Sequence, residues 1–245
     1  MTNLNSSVKY RWRAVANVSV LQQAAVEIIL ACAEQAIHER GQFHLVLAGG
    51  NTPRNIYREL NTAQTNWSAW HIYFGDERCL PLTDPSRNSC MAAEVWLNHV
   101  SIPASQCHVM PTELGAMEAT WLYAQTLKTV GDFDLVLLGL GEDGHTASLF
   151  PGHEWGIASD SQDTLAILDA PKPPPQRVSL SAARLNRARK VVFLVSGESK
   201  RQAVLAWRAG KNIPARAIRP AAGVDILVES AIFTEDLCGE GQKCN

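Results

Sequence analysis

The segment from Phe133 to Gly152, F-D-L-V-L-L-G-L-G-E-D-G-H-T-A-S-L-F-P-G, restricts the fold of this chain more than any other. Its apolar run, Phe133 to Leu138, has the length of a strand buried on both faces, and such strands belong to parallel sheets covered by helices. Gly139, Gly141 and Gly144 follow, so the backbone can approach a ligand closely at the carboxyl end of that strand. In open α/β sheets this is the end where ligands sit. Asp143 and His145 flank Gly144 there, which places an imidazole, the side chain suited to proton transfer near neutrality, two residues from a carboxylate. Two plainer readings compete. Gly139 to Gly144 fits G-x-G-x-x-G, yet a dinucleotide fingerprint needs a full helix after its third glycine, and Pro151 interrupts a helix after about two turns. A glycine-rich turn explains the glycines and leaves the Asp–Gly–His–Thr cluster without a reason.

Composition removes several classes of function. The chain has 245 residues, 46% of them apolar and 19% charged, with a net charge of −2, so it has core material and no basic signature for nucleic acid. No apolar run approaches the length of a membrane span, and Met1 to Arg13 lacks the apolar region of a signal peptide. Six cysteines at irregular spacing, with no C-x-x-C pair, are expected to be reduced thiols of a cytoplasmic protein. The seven histidines form no H-E-x-x-H pattern, so no metal is expected.

The rest of the chain alternates strand and helix. Residues 1 to 19 read as a lead-in with one edge strand. A helix is expected from Leu21 to Arg40, closed by Gly41, because apolar residues recur at helical spacing. Phe43 to Ala48 reads as a buried strand running into Gly49-Gly50-Asn51-Thr52-Pro53, with Thr52 the expected N-cap and Pro53 the first residue of a helix to Leu60. Glycines, a hydroxyl and an open helix N-terminus fit an anion site and equally an ordinary strand-to-helix turn, and the absence of lysine and of P-loop spacing argues against a nucleoside triphosphate. Trp70 to Phe74 reads as a strand ending in Gly75-Asp76-Glu77-Arg78, followed by helices over Met91 to His99 and Gly115 to Thr129 and a short strand over Cys107 to Met110. Thr164 to Leu168 and Arg177 to Leu180 are extended, with the proline loop Ala170 to Gln176 between them; Ser181 to Arg187 is a helical turn or two. Lys190 to Val195 reads as a strand followed by S-G-E-S-K and a helix to Ala209, and Val224 to Val228 as the last strand. Lys200, in the first turn of that helix, opposes the helix dipole, which an anionic ligand explains better than local stability does. The whole predicts an α/β fold, Rossmann-like, with a mostly parallel sheet and helices on both faces. A single domain over residues 1–245 is expected, with 1–17 and 235–245 peripheral.

Four motifs in this order, L-A-G-G-N-T-P, G-D-E-R-C-L-P with Asn88 after it, G-L-G-E-D-G-H-T-A-S-L-F-P and S-G-E-S-K, resemble the 6-phosphogluconolactonases of the glucosamine-6-phosphate deaminase/isomerase superfamily. The resemblance runs from Val18 to Phe233. It implies hydrolysis of 6-phospho-D-glucono-1,5-lactone in the pentose phosphate pathway, with no cofactor. Its implied partner is a small sugar-phosphate lactone; neither nucleic acid nor membrane is expected as a partner, and the protein is expected as a monomer or weak homodimer. It implies His145 as the catalytic residue, Asp76 and Arg78 facing the sugar and its reacting end, and Asp143 orienting the imidazole or the glycine loop. Gly49, Gly50, Asn51, Thr52, Asn88, Gly141, Arg177 and Lys200 are the implied substrate and phosphate ligands. In the deaminase branch the histidine segment resembles G-H-I-A-F-N-E-P, with a glutamate just before the proline; here that position is Phe150, which favours the lactonase. Asn51 stands where the family often has serine, and the last strand ends in Glu229 where aspartate is expected.

Overall fold

The computed structural model describes residues 9–233. The tail 235–245, with Cys238 and Cys244, and the first residues of the lead-in lie outside the described residues. In chain order the strands are β1 (Tyr10–Val15), β2 (Phe43–Leu47), β3 (Trp70–Phe74), β4 (Asp76–Arg78), β5 (Leu135–Gly139), β6 (Thr164–Ile167), β7 (Arg177–Leu180), β8 (Val191–Val195) and β9 (Val224–Glu229). The helices are α1 (Val18–Arg40), α2 (Asn51–Glu59), α3 (Asn88–Val95), α4 (Ala116–Leu127), α5 (Ala182–Asn186), α6 (Arg201–Arg208), α7 (Pro214–Ala217) and α8 (Ser230–Phe233).

Six strands form one sheet in the order β1-β9-β8-β5-β2-β3, and every pairing in it is parallel. The apolar runs explain this: Leu45, Val46, Leu135, Val136, Leu137, Val191, Val192 and Phe193 are fully buried, as strands covered on both faces must be. The chain lays β3 on one side of β2 and then returns to place β5 on the other, so the strand order reverses between β2 and β5. Those two strands share only two register pairs, Leu45 with Leu135 and Val46 with Val136, so their carboxyl ends part. A cleft at such a reversal is where an open α/β sheet takes its ligand.

A smaller antiparallel sheet, β4-β7-β6, lies at the mouth of that cleft. Three charged residues carry no apolar alternation, so β4 has no strand signal in the sequence. The register places Arg78 opposite Arg177 and Asp76 opposite Ser179.

Several expectations need correction. Thr52 does not cap α2: the helix starts at Asn51, its cap position is Gly50 with φ 107°, and no side chain caps it. The Thr52 hydroxyl instead meets Ser196 Oγ at 2.6 Å. The helix expected over Met91 to His99 begins at Asn88, ends at Val95 and gives way to a 3-10 turn, Leu97–His99. Cys107 to Met110 makes no strand, only a single parallel bridge from Cys107 to Ile72. Lys200 ends a 3-10 turn, Glu198–Lys200, and stands before α6 rather than inside its first turn. Finally, α1 is long and apolar enough to cross a membrane by length and composition. Its apolar side is spent inside the fold: Leu21, Ala25, Ile29, Ala33 and Ala36 are buried in the core, while Glu27, Glu34 and Glu39 are exposed.

Candidate active site

The loops leaving β2, β3, β5 and β8 line one cavity of about 600 Å³ with contributions from β4, β7 and the proline loop. Of the residues singled out from the sequence, Gly49, Gly50, Asn51, Thr52, Asp76, Arg78, Asn88, Gly141, His145, Arg177 and Lys200 all line it, and Asp143 stands behind His145. The lining carries four cationic side chains, Arg78, Lys172, Arg177 and Lys200, against one carboxylate, Asp76, an excess suited to an anion.

The β5 loop sets the imidazole. Asp143 Oδ1 accepts from the His145 backbone N–H at 3.1 Å and lies 2.5 Å from Nδ1. With Nδ1 as donor to the carboxylate, Nε2 keeps its lone pair for a proton. Burial alone would raise the Asp143 carboxyl, but the hydrogen bond from His145 N–H, the nearby imidazole and the bond from its ring hold it below the usual carboxylate range. The ring packs at 4.9 Å on Phe150, which is fully buried. A Cβ on Gly141 would fall 1.9 Å from Nδ1, so only glycine leaves room for the imidazole. Ala147 adopts a φ of 47°, the one non-glycine residue in the left-handed region among those described, and it too lines the cavity.

Period-two alternation puts Asp76 and Arg78 on the cavity side of β4 and Glu77 on the other. Asp76 is buried with both oxygens held: Oδ2 accepts from Ser148 Oγ at 2.6 Å, and Oδ1 from Asn88 Nδ2 at 3.2 Å. Asn88 also donates to Asp76 O at 2.9 Å and sits so close to Gly49 that a Cβ there would come 2.1 Å from its Oδ1. Glu77, fully buried, accepts from the N–H groups of Asn88 and Ser89 at 2.8 Å and so caps α3, beside the buried Arg87. The Arg78 Nε is buried without a hydrogen-bond partner among the described residues, and its Nη1 donates to Ser86 O.

Arg177 lines the cavity and also has a structural task. Its Nε donates to Pro174 O at 3.1 Å and its Nη2 to Lys172 O at 2.9 Å, so much of the guanidinium clamps the proline loop. It also stands directly across the strand pair from Arg78, and like charges so opposed cost stability unless an anion joins them. Burial and Arg78 push the Arg177 pKa down while Asp76 opposes the shift. At the opposite wall, Glu229 Oε2 accepts from Gly197 N–H at 2.7 Å and holds the loop that ends in Lys200. Burial lowers the Lys200 ammonium pKa. Ser148, Ser196, Lys172 and the Glu77–Arg87 pair join the site without a signal of their own in the sequence. Ser148 and Ser196 lie inside quoted motifs, but only the fold reveals their partners.

Among the described residues no group of His, Cys, Asp and Glu is placed to hold a metal. The cysteines described, Cys32, Cys79, Cys90 and Cys107, are free.

Comparison with known proteins identifies the family of the chain. The family model described as "Glucosamine-6-phosphate isomerases/6-phosphogluconolactonase" matches residues 16–227. The chain is 38% identical over 221 residues to the 6-phosphogluconolactonase of Synechocystis, covering 83% of this chain and 90% of that protein. It is also 38% identical over 210 residues to the human GDH/6PGL endoplasmic bifunctional protein, where it matches 80% of this chain but spans only 26% of that relative's length. The solved 6-phosphogluconolactonase of Trypanosoma brucei superposes with a TM-score of 0.83 at 29% identity, covering 92% of this chain and 98% of that one. The chain belongs to the family of glucosamine-6-phosphate isomerases and 6-phosphogluconolactonases.

Proposed function

We propose that this chain hydrolyses 6-phospho-D-glucono-1,5-lactone to 6-phospho-D-gluconate, the lactone step of the oxidative pentose phosphate pathway, with His145 as general base on water. The observation that carries the reading is the 2.5 Å contact between Asp143 and His145 Nδ1 at the edge of a cavity lined by four cations. A lactone is an activated ester, so neither a covalent nucleophile nor a cofactor is required. Nε2 takes a proton as water attacks C1 and returns it to the departing ring oxygen. Arg78 stabilises the charge that develops on the carbonyl oxygen, a role typically worth about 3 kcal/mol. Asp76, fixed by Ser148 and Asn88, faces the sugar. The uncapped start of α2 at Gly49, Gly50, Asn51 and Thr52, with Lys200 and Arg177, holds the phosphate and so positions C1. The same reading gives one domain, acting as a monomer or weak homodimer in the cytoplasm.

The deaminase reaction of the same family is disfavoured by Phe150, an apolar wall where that branch needs a carboxylate. The deciding experiment generates the lactone in situ with glucose-6-phosphate dehydrogenase and follows its loss above the spontaneous rate, beside unphosphorylated gluconolactone. Rapid loss of the phosphorylated lactone is expected, reduced about 10²- to 10⁴-fold in His145→Ala. Ammonia release from glucosamine 6-phosphate without lactone hydrolysis would overturn the assignment.

A further inference from the structure

One charged pair at the cavity has no part in this chemistry. Lys172 lies in the loop between β6 and β7, inside the run A-P-K-P-P-P-Q, with prolines on both sides fixing φ. The loop is stapled along its length. Ala170 N–H donates to Pro175 O at 2.9 Å, Cys79 N–H to Gln176 O at 3.0 Å, and Arg177 donates to the carbonyls of Lys172 and Pro174. A solvated surface lysine needs no such frame. The frame holds the Lys172 backbone at the wall of the cavity that also contains Lys200.

The Lys172 Nζ lies 3.6 Å from Oε2 of Glu142, a residue of the His145 loop, and both side chains are about half exposed. The Glu142 carboxylate also favours the charge on Lys200, while Lys172 opposes it. Two ammonium groups therefore share one carboxylate beside a cavity suited to anions. An exposed ion pair of this kind adds little to stability. Its position has another sense: it keeps the two cations compensated while the cavity is empty. A phosphoryl group brings up to two negative charges and three acceptor oxygens, and outcompetes a single carboxylate for them.

We propose that Lys172 is a further phosphate-binding residue of this site, which confers preference for phosphorylated lactones, and that Glu142 is the counter-ion the phosphoryl group displaces from it. The inference rests on the sugar-phosphate reading above. Arg177 then serves the phosphate in part indirectly, by holding the loop that carries Lys172.

The test measures binding of inorganic phosphate and of 6-phosphogluconate by calorimetry, together with steady-state hydrolysis. Lys172→Ala is expected to weaken both ligands about tenfold, the loss of one charge-assisted hydrogen bond at a partly exposed site. It raises KM for the phosphorylated lactone more than it lowers kcat, and narrows the preference over unphosphorylated gluconolactone. Lys172→Arg restores much of the affinity. Glu142→Gln tightens phosphate about threefold, and that gain vanishes when Lys172 is alanine. Unchanged phosphate affinity in a folded Lys172→Ala protein overturns the role of Lys172. Absence of a gain in Glu142→Gln overturns the counter-ion role. A wild-type protein that binds neither ligand and hydrolyses no lactone refutes the sugar-phosphate reading itself, and the role of Lys172 falls with it.

Discussion

His145 is held by neighbours that leave its ring one position. One Asp143 oxygen binds both its backbone N–H and its Nδ1, and Phe150 supports the ring from below. Because the Asp143 carboxyl is held below its usual value, the energy of this contact is fully present above the ordinary carboxylate pKa of 3.8 and is lost only as pH falls through the depressed one. The anchor thus stays charged throughout the neutral range. Gly141 completes the frame by what it lacks, since a methyl group there would occupy the place of Nδ1. Gly141→Ala is therefore expected to lower kcat by about 10²-fold, because a misplaced base loses most of its general-base contribution. The fold should tolerate the change, because the atoms the methyl group displaces belong to one partly exposed side chain and not to the backbone. Measuring kcat and the melting temperature together checks this: full activity with a methyl group at 141 would mean the ring does not need its present position.

Register does at the level of strands what Gly141 does for one ring. In the pairing of β4 with β7 it brings Arg78 and Arg177 to one wall, although neither segment reveals the other. In the pairing of β2 with β3 it sets His44 beside His71, and the two rings stack at 4.8 Å. His108, from the segment bridged to β3, stacks on Tyr73 at 4.4 Å and lies 5.7 Å from His71. Burial, then His71, His108 and Arg184 push the His44 pKa down to about 4, with Asp134 opposing. The unfolded chain takes up a proton at this residue below its ordinary value of 6.5, whereas the folded chain takes it up only near 4. The stability that His44 contributes is therefore present above pH 6.5 and lost as the pH falls from 6.5 to 4. His71 and His108, also pushed down by burial, act in the same direction. The melting temperature of the wild type should fall across that window, and His44→Asn should fall less steeply. Two curves that differ only by a constant offset would show that His44 does not carry the effect.

The molecule as a whole is most legible in sequence where one local segment contains both the fold signal and the chemistry. Phe133 to His145 holds a buried strand, its glycines and the base within a few turns of chain, and G-G-N-T-P does the same for the anion-binding helix start. What stayed hidden depends on partners distant in sequence: β4 needs β7, the Thr52 hydroxyl is taken by Ser196, and Asp76 is fixed by Ser148. Such contacts obey no periodicity and appear only when the sheet assembles. The same assembly couples the site to global stability. Loops from β2, β3, β5 and β8 meet at one cavity, so a ligand bridging them binds the native state and nothing comparable in the unfolded chain. At a hundredfold excess over Kd, 6-phosphogluconate should stabilise the fold by about 2.7 kcal/mol and raise the melting temperature by several degrees. His145→Ala should keep most of that rise, because its ring serves C1 rather than the phosphate. Lys200→Ala should lose most of it at the same ligand concentration, since it removes a half-buried cation from the anion end. A thermal-shift titration of the three proteins decides the matter: an equal rise in the wild type and Lys200→Ala would move the phosphate away from the β8 loop and leave the α2 start, Arg177 and Lys172 as its holders.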